Sequence, residues 1–374
     1  MIVAGEASGD LHGAALIKKL KNIEPSIEIL GIGGDRMIDA GMNTLFHIKK
    51  MAFLGLVEII KHLPFINKVQ KKLISTIVQE DIETVILIDY PGFNLELAKK
   101  LKKLGRKIIY YISPQIWAWG KRRIKKIKKY VDKMIVVFPF EEKLYKDYGI
   151  DAVYVGHPLI EHIENYNFIT KDELYEKFGL IKEKEILLLL PGSRKHEIKK
   201  IFPETIKAAN RLADIFNLQI VIACADNINE NIFYNLSNYK NYKIIKGHTY
   251  DLFKYSYFGI IKSGTSTLEA GIFQLPFIVV YATNFLTYWL GRLVVQLDSI
   301  AMVNILLEEK LVEELIQSDL NADNIYEKSF QILSDKTKYN ELKEKLMMLK
   351  SKLGESGASE KAAKLIYSVM NEAK

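Results

Sequence analysis

Short, nearly unbroken apolar runs alternate with amphipathic helical patterns along this chain, and the whole series occurs twice. The first series reads "MIVA", a helix from Asp10, "IEILGI", a helix from Pro64, "TVILID", a helix from Asn94, "KIIYYI", a basic helix, "KMIVVF", a helix and "AVYVG". Runs without polar alternation suit strands buried on both faces, and the intervening helices supply the crossovers of a parallel sheet. After a polar connection near residues 161–172 the pattern restarts with "EILLLLPG", "LQIVIACA", "YKIIKG", "YFGIIKSG" and "LPFIVVYA", again separated by helices. The expectation is an α/β protein of two Rossmann-like, doubly wound domains joined near residues 158–170. Residues 1–160 would form the first and 161–355 the second. The tail from Ala322 to Lys374 reads as helical, with "GESGAS" breaking it before a last helix at about 356–374.

Composition narrows the class without choosing a function. A chain of 374 residues, 49% hydrophobic and 26% charged, is long enough for two cores and carries no signature of disorder, collagen or a disulfide scaffold. The lone Cys224 lies in a strand-like run, where a small core residue is the plain reading, and a reducing cytoplasmic compartment is the simpler assumption. Met1 leads straight into a strand-like segment with no basic or apolar leader, so no signal peptide is expected. The stretch Leu275 to Leu297 is apolar but holds Pro276, Asn284, Arg292 and Gln296, which favours strand, turn and amphipathic helix over a membrane span. A formal net charge of +8 suits an anionic partner, whether nucleotide, lipid head group or nucleic acid.

In doubly wound sheets ligands bind beyond the carboxyl ends of the strands. In the second half, "LLLLPGSRKHEI" passes from a buried strand through Gly192, Ser193 and Arg194 into a helix. Glycine permits close backbone approach, a helix start offers free N–H groups, and Arg194 can fork onto phosphate oxygens. An ordinary strand-to-helix turn would look similar. The turn "IIKSGTSTLEAG" repeats the theme with Thr265, Ser266 and Thr267 opening a helix, and two such starts at neighbouring strand ends suit a diphosphate. Glu269 is spaced to reach a ribose hydroxyl pair, against the plainer reading of a solvated helix carboxylate. No GxxxxGK[ST] stretch exists, and "GIGGDRM" does not fit the dinucleotide fingerprint.

In the first half, "AGEASGDLHG" puts Gly5, Ser8, Gly9 and Asp10 in the turn after the first strand, facing a ligand or, for Asp10, capping the next helix. "VILIDYPGFN" ends an apolar run on Asp89. The seven histidines are scattered and no CxxC or HExxH spacing occurs, so no dedicated metal site is expected. "SPQIWAWGKRRIKKIKKYVDK" sets Trp117 and Trp119 beside a cationic helix carrying Lys121, Arg122, Arg123, Lys125, Lys126, Lys128 and Lys129. Ile124, Ile127 and Val131 would dock it, leaving a solvated face or one suited to an anionic membrane surface; no nucleic-acid module is recognisable. The apolar Met51 to Ile66 stretch is a second candidate for lipid contact, with buried core as its plainer reading.

These motifs, with "VGHPL" and "VNILL" in the same order, resemble the bacterial lipid-A-disaccharide synthase family of GT-B glycosyltransferases over nearly the whole chain. The resemblance implies two domains facing a cleft, with the last helix crossing back to the first. It implies that a UDP-2,3-diacylglucosamine donor gives its sugar to the 6-hydroxyl of 2,3-diacylglucosamine 1-phosphate with inversion, releasing UDP. No metal or other cofactor is required, the enzyme sits peripherally on the cytoplasmic face of the inner membrane, and homodimers are possible. An inverting displacement needs a base on the acceptor side and charge stabilisation on the leaving side. Asp89 then stands as the base, Arg194 with the two helix starts as the diphosphate site, Glu269 as the ribose ligand and Asn304 as a family-supported substrate contact. Apolar residues from Phe53 to Ile66 would meet the acyl chains. Some members carry a second acid, D-x-P-D-F-N, where this chain has Gly92. The alternatives are another UDP-sugar GT-B enzyme, such as a peptidoglycan N-acetylglucosaminyltransferase or a UDP-N-acetylglucosamine epimerase, and a non-catalytic nucleotide-sugar-binding protein.

Overall fold

The structure, a computed structural model, describes residues 1–51, 56–117, 123–283 and 299–372, and the side chains of 56–62 fall outside that description. Phe53, Trp119, Lys121, Arg122 and the apolar stretch from 284 to 297 therefore lie outside the described residues.

The chain divides into two compact units, Met1–Glu164 with Leu353–Lys374, and Asn165–Lys352. In the first, seven parallel strands run in the order β3-β2-β1-β4-β5-β6-β7: β1 Ile2–Ala4, β2 Leu30–Gly33, β3 Asn43–His47, β4 Thr84–Ile88, β5 Lys107–Tyr111, β6 Lys133–Val136 and β7 Ala152–Tyr154. Strand β4 is buried throughout, as a strand covered on both faces must be. The direction of winding reverses between β1 and β4, which pair with Ala4 opposite Ile88.

The second unit repeats the plan with six parallel strands in the order β10-β9-β8-β11-β12-β13: β8 Glu185–Leu190, β9 Leu218–Ala223, β10 Tyr242–Ile245, β11 Ser256–Lys262, β12 Phe277–Tyr281 and β13 Glu314–Ile316. Here the winding reverses between β8 and β11, with Leu190 opposite Ile261. Both sheets thus have the strand order expected of two doubly wound domains. Cys224 is buried, and burial pushes its thiol up to about 11, so it stays an uncharged core group.

The closing helix Ala358–Asn371 belongs to the first unit. It buries Ala362, Ala363, Ile366 and Val369, and Lys107 Nζ donates to the Val369 carbonyl at 2.7 Å. The "GESG" break works through Gly354 and Gly357, at φ 81° and 95°, values that favour glycine.

Two helix starts differ from the sequence reading. The first helix spans Ala7–Ile23, so Ser8, Gly9 and Asp10 occupy its opening turn instead of the preceding loop. The helix expected from Pro64 spans Leu56–Gln79 with Pro64 inside it, because the apolar spacing continues upstream of the proline.

Candidate active site

In each unit the strand-end turns singled out by sequence lie where the strand order reverses, the position at which open α/β sheets bind ligands. In the first unit the loops after β1 and β4 meet there. Asp89 and Tyr90 both take left-handed backbone, φ 44° and 48°. Each such residue costs about 1–2 kcal/mol, so the turn persists only because its surroundings fix it. Asn94, fully buried, donates from Nδ2 to the carbonyls of Ile88 (3.2 Å) and Asp89 (2.7 Å), and Tyr110 Oη donates to the Asp89 carbonyl at 2.5 Å. Pro91 then opens the helix Pro91–Lys102, its missing N–H costing nothing at that position. The Tyr90 ring lies over Gly5, where an added Cβ would sit 2.2 Å from a ring carbon. This close approach explains a glycine directly after β1.

The outcome is a half-buried carboxylate at the strand end. Burial, reinforced by the neighbouring Glu6 carboxylate, raises Asp89 to about 6, while the Tyr90 backbone N–H and Arg123 pull in the opposite direction. A carboxylate poised this near neutrality is suited to taking a proton.

Gly9 packs directly on β1, a Cβ there lying 3.2 Å from that of Ala4, and Ser8 beside it is half-buried. Asp10, a buried carboxylate, caps a different helix from the one expected. Its oxygens accept from the N–H groups of Gly34 (2.6 Å), Met37 (3.1 Å) and Arg36 (3.2 Å), at the start of the helix Asp35–Asp39. The "SGD" and "GIGGDRM" motifs are therefore two halves of one cap. Glu141, also buried, accepts from Ser113 Oγ (2.7 Å), Trp117 Nε1 (3.0 Å) and the Phe138 N–H (3.3 Å); burial nonetheless raises it to about 7. Burial drives His157 down to about 3 and His12 to about 4, and both stay neutral.

In the second unit, Gly192 takes φ 124° and Ser193 is exposed before the helix Lys195–Phe216, whose N-cap is Arg194. Thr265, exposed, and Ser266, half-buried, open the helix Thr265–Ile272; Thr267 is buried and its Oγ1 donates to the Gly264 carbonyl at 2.7 Å. The structure ties these two turns together through residues that the sequence reading missed. Glu197, buried in the first turn of its helix, accepts from Lys262 Nζ at 3.0 Å and lies 3.5 Å from Arg194 Nη1. Asn227 Nδ2 donates to the Ser193 carbonyl at 3.2 Å. Glu269 accepts from Tyr250 Oη at 3.1 Å, and burial raises it to about 7 against the hydrogen bonds of Tyr250 and Ser266.

Asn304, expected as a substrate contact, is engaged within the protein. Only 2% exposed, it donates from Nδ2 to the Val312 carbonyl and Glu314 Oε1 and accepts at Oδ1 from the N–H groups of Leu311 and Val312, all at 2.9 Å. Its hydrogen-bonding capacity is spent on a buried turn. Nor does it cap the helix Met302–Leu307, whose N-cap is Ala301. Among the described residues no group of three or more His, Cys, Asp or Glu is arranged to hold a metal ion.

Two parallel-sheet Rossmann-like units in one chain define a GT-B-type protein, the class that holds glycosyltransferases and sugar epimerases. A putative UDP-N-acetylglucosamine 2-epimerase from Listeria monocytogenes superposes with a TM-score of 0.69 at 13% identity, covering 100% of this chain and 96% of that one. The Neisseria meningitidis UDP-GlcNAc 2-epimerase bound to UDP-GlcNAc gives 0.69 at 15%, covering 99% of each, and the calicheamicin glycosyltransferase CalG4 gives 0.61 at 12%, covering 99% and 96%. At those identities the likeness is one of fold. The chain belongs to the lipid-A-disaccharide synthetase family, whose model matches residues 1–369. The lipid-A-disaccharide synthase of Geobacter sulfurreducens is 36% identical over 375 residues, covering 100% of this chain and 97% of its own. That of Syntrophus aciditrophicus is 38% identical over 376 residues, covering 100% and 98%. The protein is thus a UDP-sugar-dependent glycosyltransferase of lipid A synthesis.

Proposed function

We propose that this chain condenses UDP-2,3-diacylglucosamine with 2,3-diacylglucosamine 1-phosphate, with Asp89 as general base and the β8/β11 switch point as the donor diphosphate site. The observation that carries the base assignment is the Asp89 carboxylate itself, held at the β1/β4 reversal on constrained backbone and raised to about 6. Asp89 takes the proton of the acceptor 6-hydroxyl as that oxygen bonds to the anomeric carbon of the donor. The bond from that carbon to the diphosphate oxygen breaks with inversion, and UDP departs. Charge on the leaving oxygen is met by Arg194, by the Gly192–Ser193 turn and by the N–H groups that open the helix Thr265–Ile272, fixed donors that need no reorganisation. Glu269 accepts from the ribose hydroxyls. Ser8 and Gly9, in the first turn beside Asp89's strand, line the acceptor side.

The cationic helix Arg123–Tyr130 supports attachment to an anionic membrane surface. Ile124 and Ile127 are buried while Lys125, Lys126, Lys128 and Lys129 face solvent, and exposed Leu63 adds apolar surface in the Met51 to Ile66 segment. Among the described residues no helix is long and apolar enough to cross a membrane. The test of the base assignment is Asp89→Asn. UDP affinity is expected to stay within threefold of the parent while turnover falls roughly 100- to 10,000-fold; unchanged turnover contradicts it.

A further inference from the structure

The donor site contains a cation that its phosphate-binding turns do not require. Lys262 ends β11, immediately before Ser263 and Gly264, and its side chain is 18% exposed. Its Nζ lies 3.0 Å from Glu197 Oε1, 5.7 Å from the centre of the Tyr281 ring and 3.7 Å from the position of a Cβ on Gly264. The ammonium therefore stands at the start of the helix Thr265–Ile272 while bonded to a carboxylate from the helix that follows β8. Glu197 is 5% exposed and its Oε2 has no hydrogen-bond partner among the described residues; an added Cβ on Gly192 would sit 2.7 Å from that oxygen. A single buried carboxylate thus lies under the glycine turn and shares one oxygen between Lys262 and Arg194.

The charge balance of the cluster favours an anion. Among the described residues of this cluster, two cations and one carboxylate leave a surplus of one positive charge, and the two helix starts beside them add roughly half a charge each. About two units of negative charge satisfy that surplus, which is the charge of the diphosphate bridge in a nucleoside-diphosphate sugar. A surface ion pair has neither the buried shared oxygen nor the cations converging from adjoining strand ends. Lys262 and Arg194 also keep donors that Glu197 does not use.

We propose that Lys262 is a direct ligand of the donor diphosphate, and that Glu197 is the positioning residue that holds Lys262 and Arg194 in line for it. The inference rests on reading the β8/β11 switch point as the donor site. Its stake in catalysis is the leaving group, because an ammonium fixed beforehand stabilises the extra charge that develops as UDP departs.

Calorimetric binding of UDP and of uridine to the full chain, with steady-state kinetics, tests it. Lys262→Met should weaken UDP roughly ten- to hundred-fold, the loss of one charge-assisted hydrogen bond, and leave uridine binding unchanged. Lys262→Arg, which keeps the charge, should restore UDP affinity to within threefold and controls for a folding defect in the Met variant. Glu197→Gln should lower kcat at least tenfold while uridine binding moves less than threefold. Equal weakening of UDP and uridine in Lys262→Met, or an unchanged UDP affinity, overturns the role of Lys262. An unchanged kcat in Glu197→Gln overturns that of Glu197. Failure of the parent chain to bind UDP contradicts instead the reading of the donor site.

Discussion

At Asp89 two effects oppose each other: burial and Glu6 raise the carboxyl to about 6, and the Tyr90 N–H and Arg123 draw it down. Only the carboxylate accepts a proton, so kcat/KM should rise with pH through about 6 and then level. An acidic limb near the ordinary aspartate value, close to 4, would show that Asp89 is not the titrating base. This residue was legible because an acid closed an apolar run before Pro91. Lys262 and Glu197 were not, since their bond joins a strand end and a helix start that become neighbours only once β8 and β11 pair. Asn304 has a second engagement that its motif did not announce: among the described residues all four of its bonds go to Leu311, Val312 and Glu314. Asn304→Ala leaves the N–H groups of Leu311 and Val312 unpaired and should destabilise the chain by roughly 2–4 kcal/mol in chemical unfolding. Lost activity at unchanged stability would show a substrate contact instead.

Elements were easier to read than their ends. Unbroken apolar runs mark β4 and β8 without ambiguity, because a parallel strand covered on both faces has no solvent side to mark with polar residues. Helix starts depend on caps that come from elsewhere in the chain, as when Asp10 caps Asp35–Asp39, and local sequence does not announce such a partner. Gly92 is a further case. It lies in the first turn of Pro91–Lys102, and among the described residues a Cβ there meets nothing within 4 Å, so the backbone leaves room for the start of the second acid that some relatives carry. Gly92→Asp should stabilise the helix by about 0.5–1 kcal/mol, through lower chain entropy and a carboxylate at a helix N-terminus. A lowered thermal midpoint would mean that the site tolerates no second carboxylate beside Asp89.

Across the whole molecule, the doubled series of apolar runs predicted two doubly wound sheets, and both strand orders agree. The return of Ala358–Asn371 to the first unit was implied by family resemblance; an amphipathic helix does not itself reveal which surface it covers. Ile366, fully buried in that helix, gives the test. Ile366→Ala should cost the first unit roughly 2–5 kcal/mol and leave the second unchanged, read by hydrogen exchange resolved along the chain; an equal loss in both would contradict the assignment. The most direct measurement on the whole protein supplies both lipid substrates and follows UDP and disaccharide 1-phosphate together. The parent chain should form them in equal amounts, and Asp89→Asn should form both roughly 100- to 10,000-fold more slowly while still binding UDP. A folded parent chain that releases no disaccharide, or an Asp89→Asn variant that turns over like it, would contradict the account.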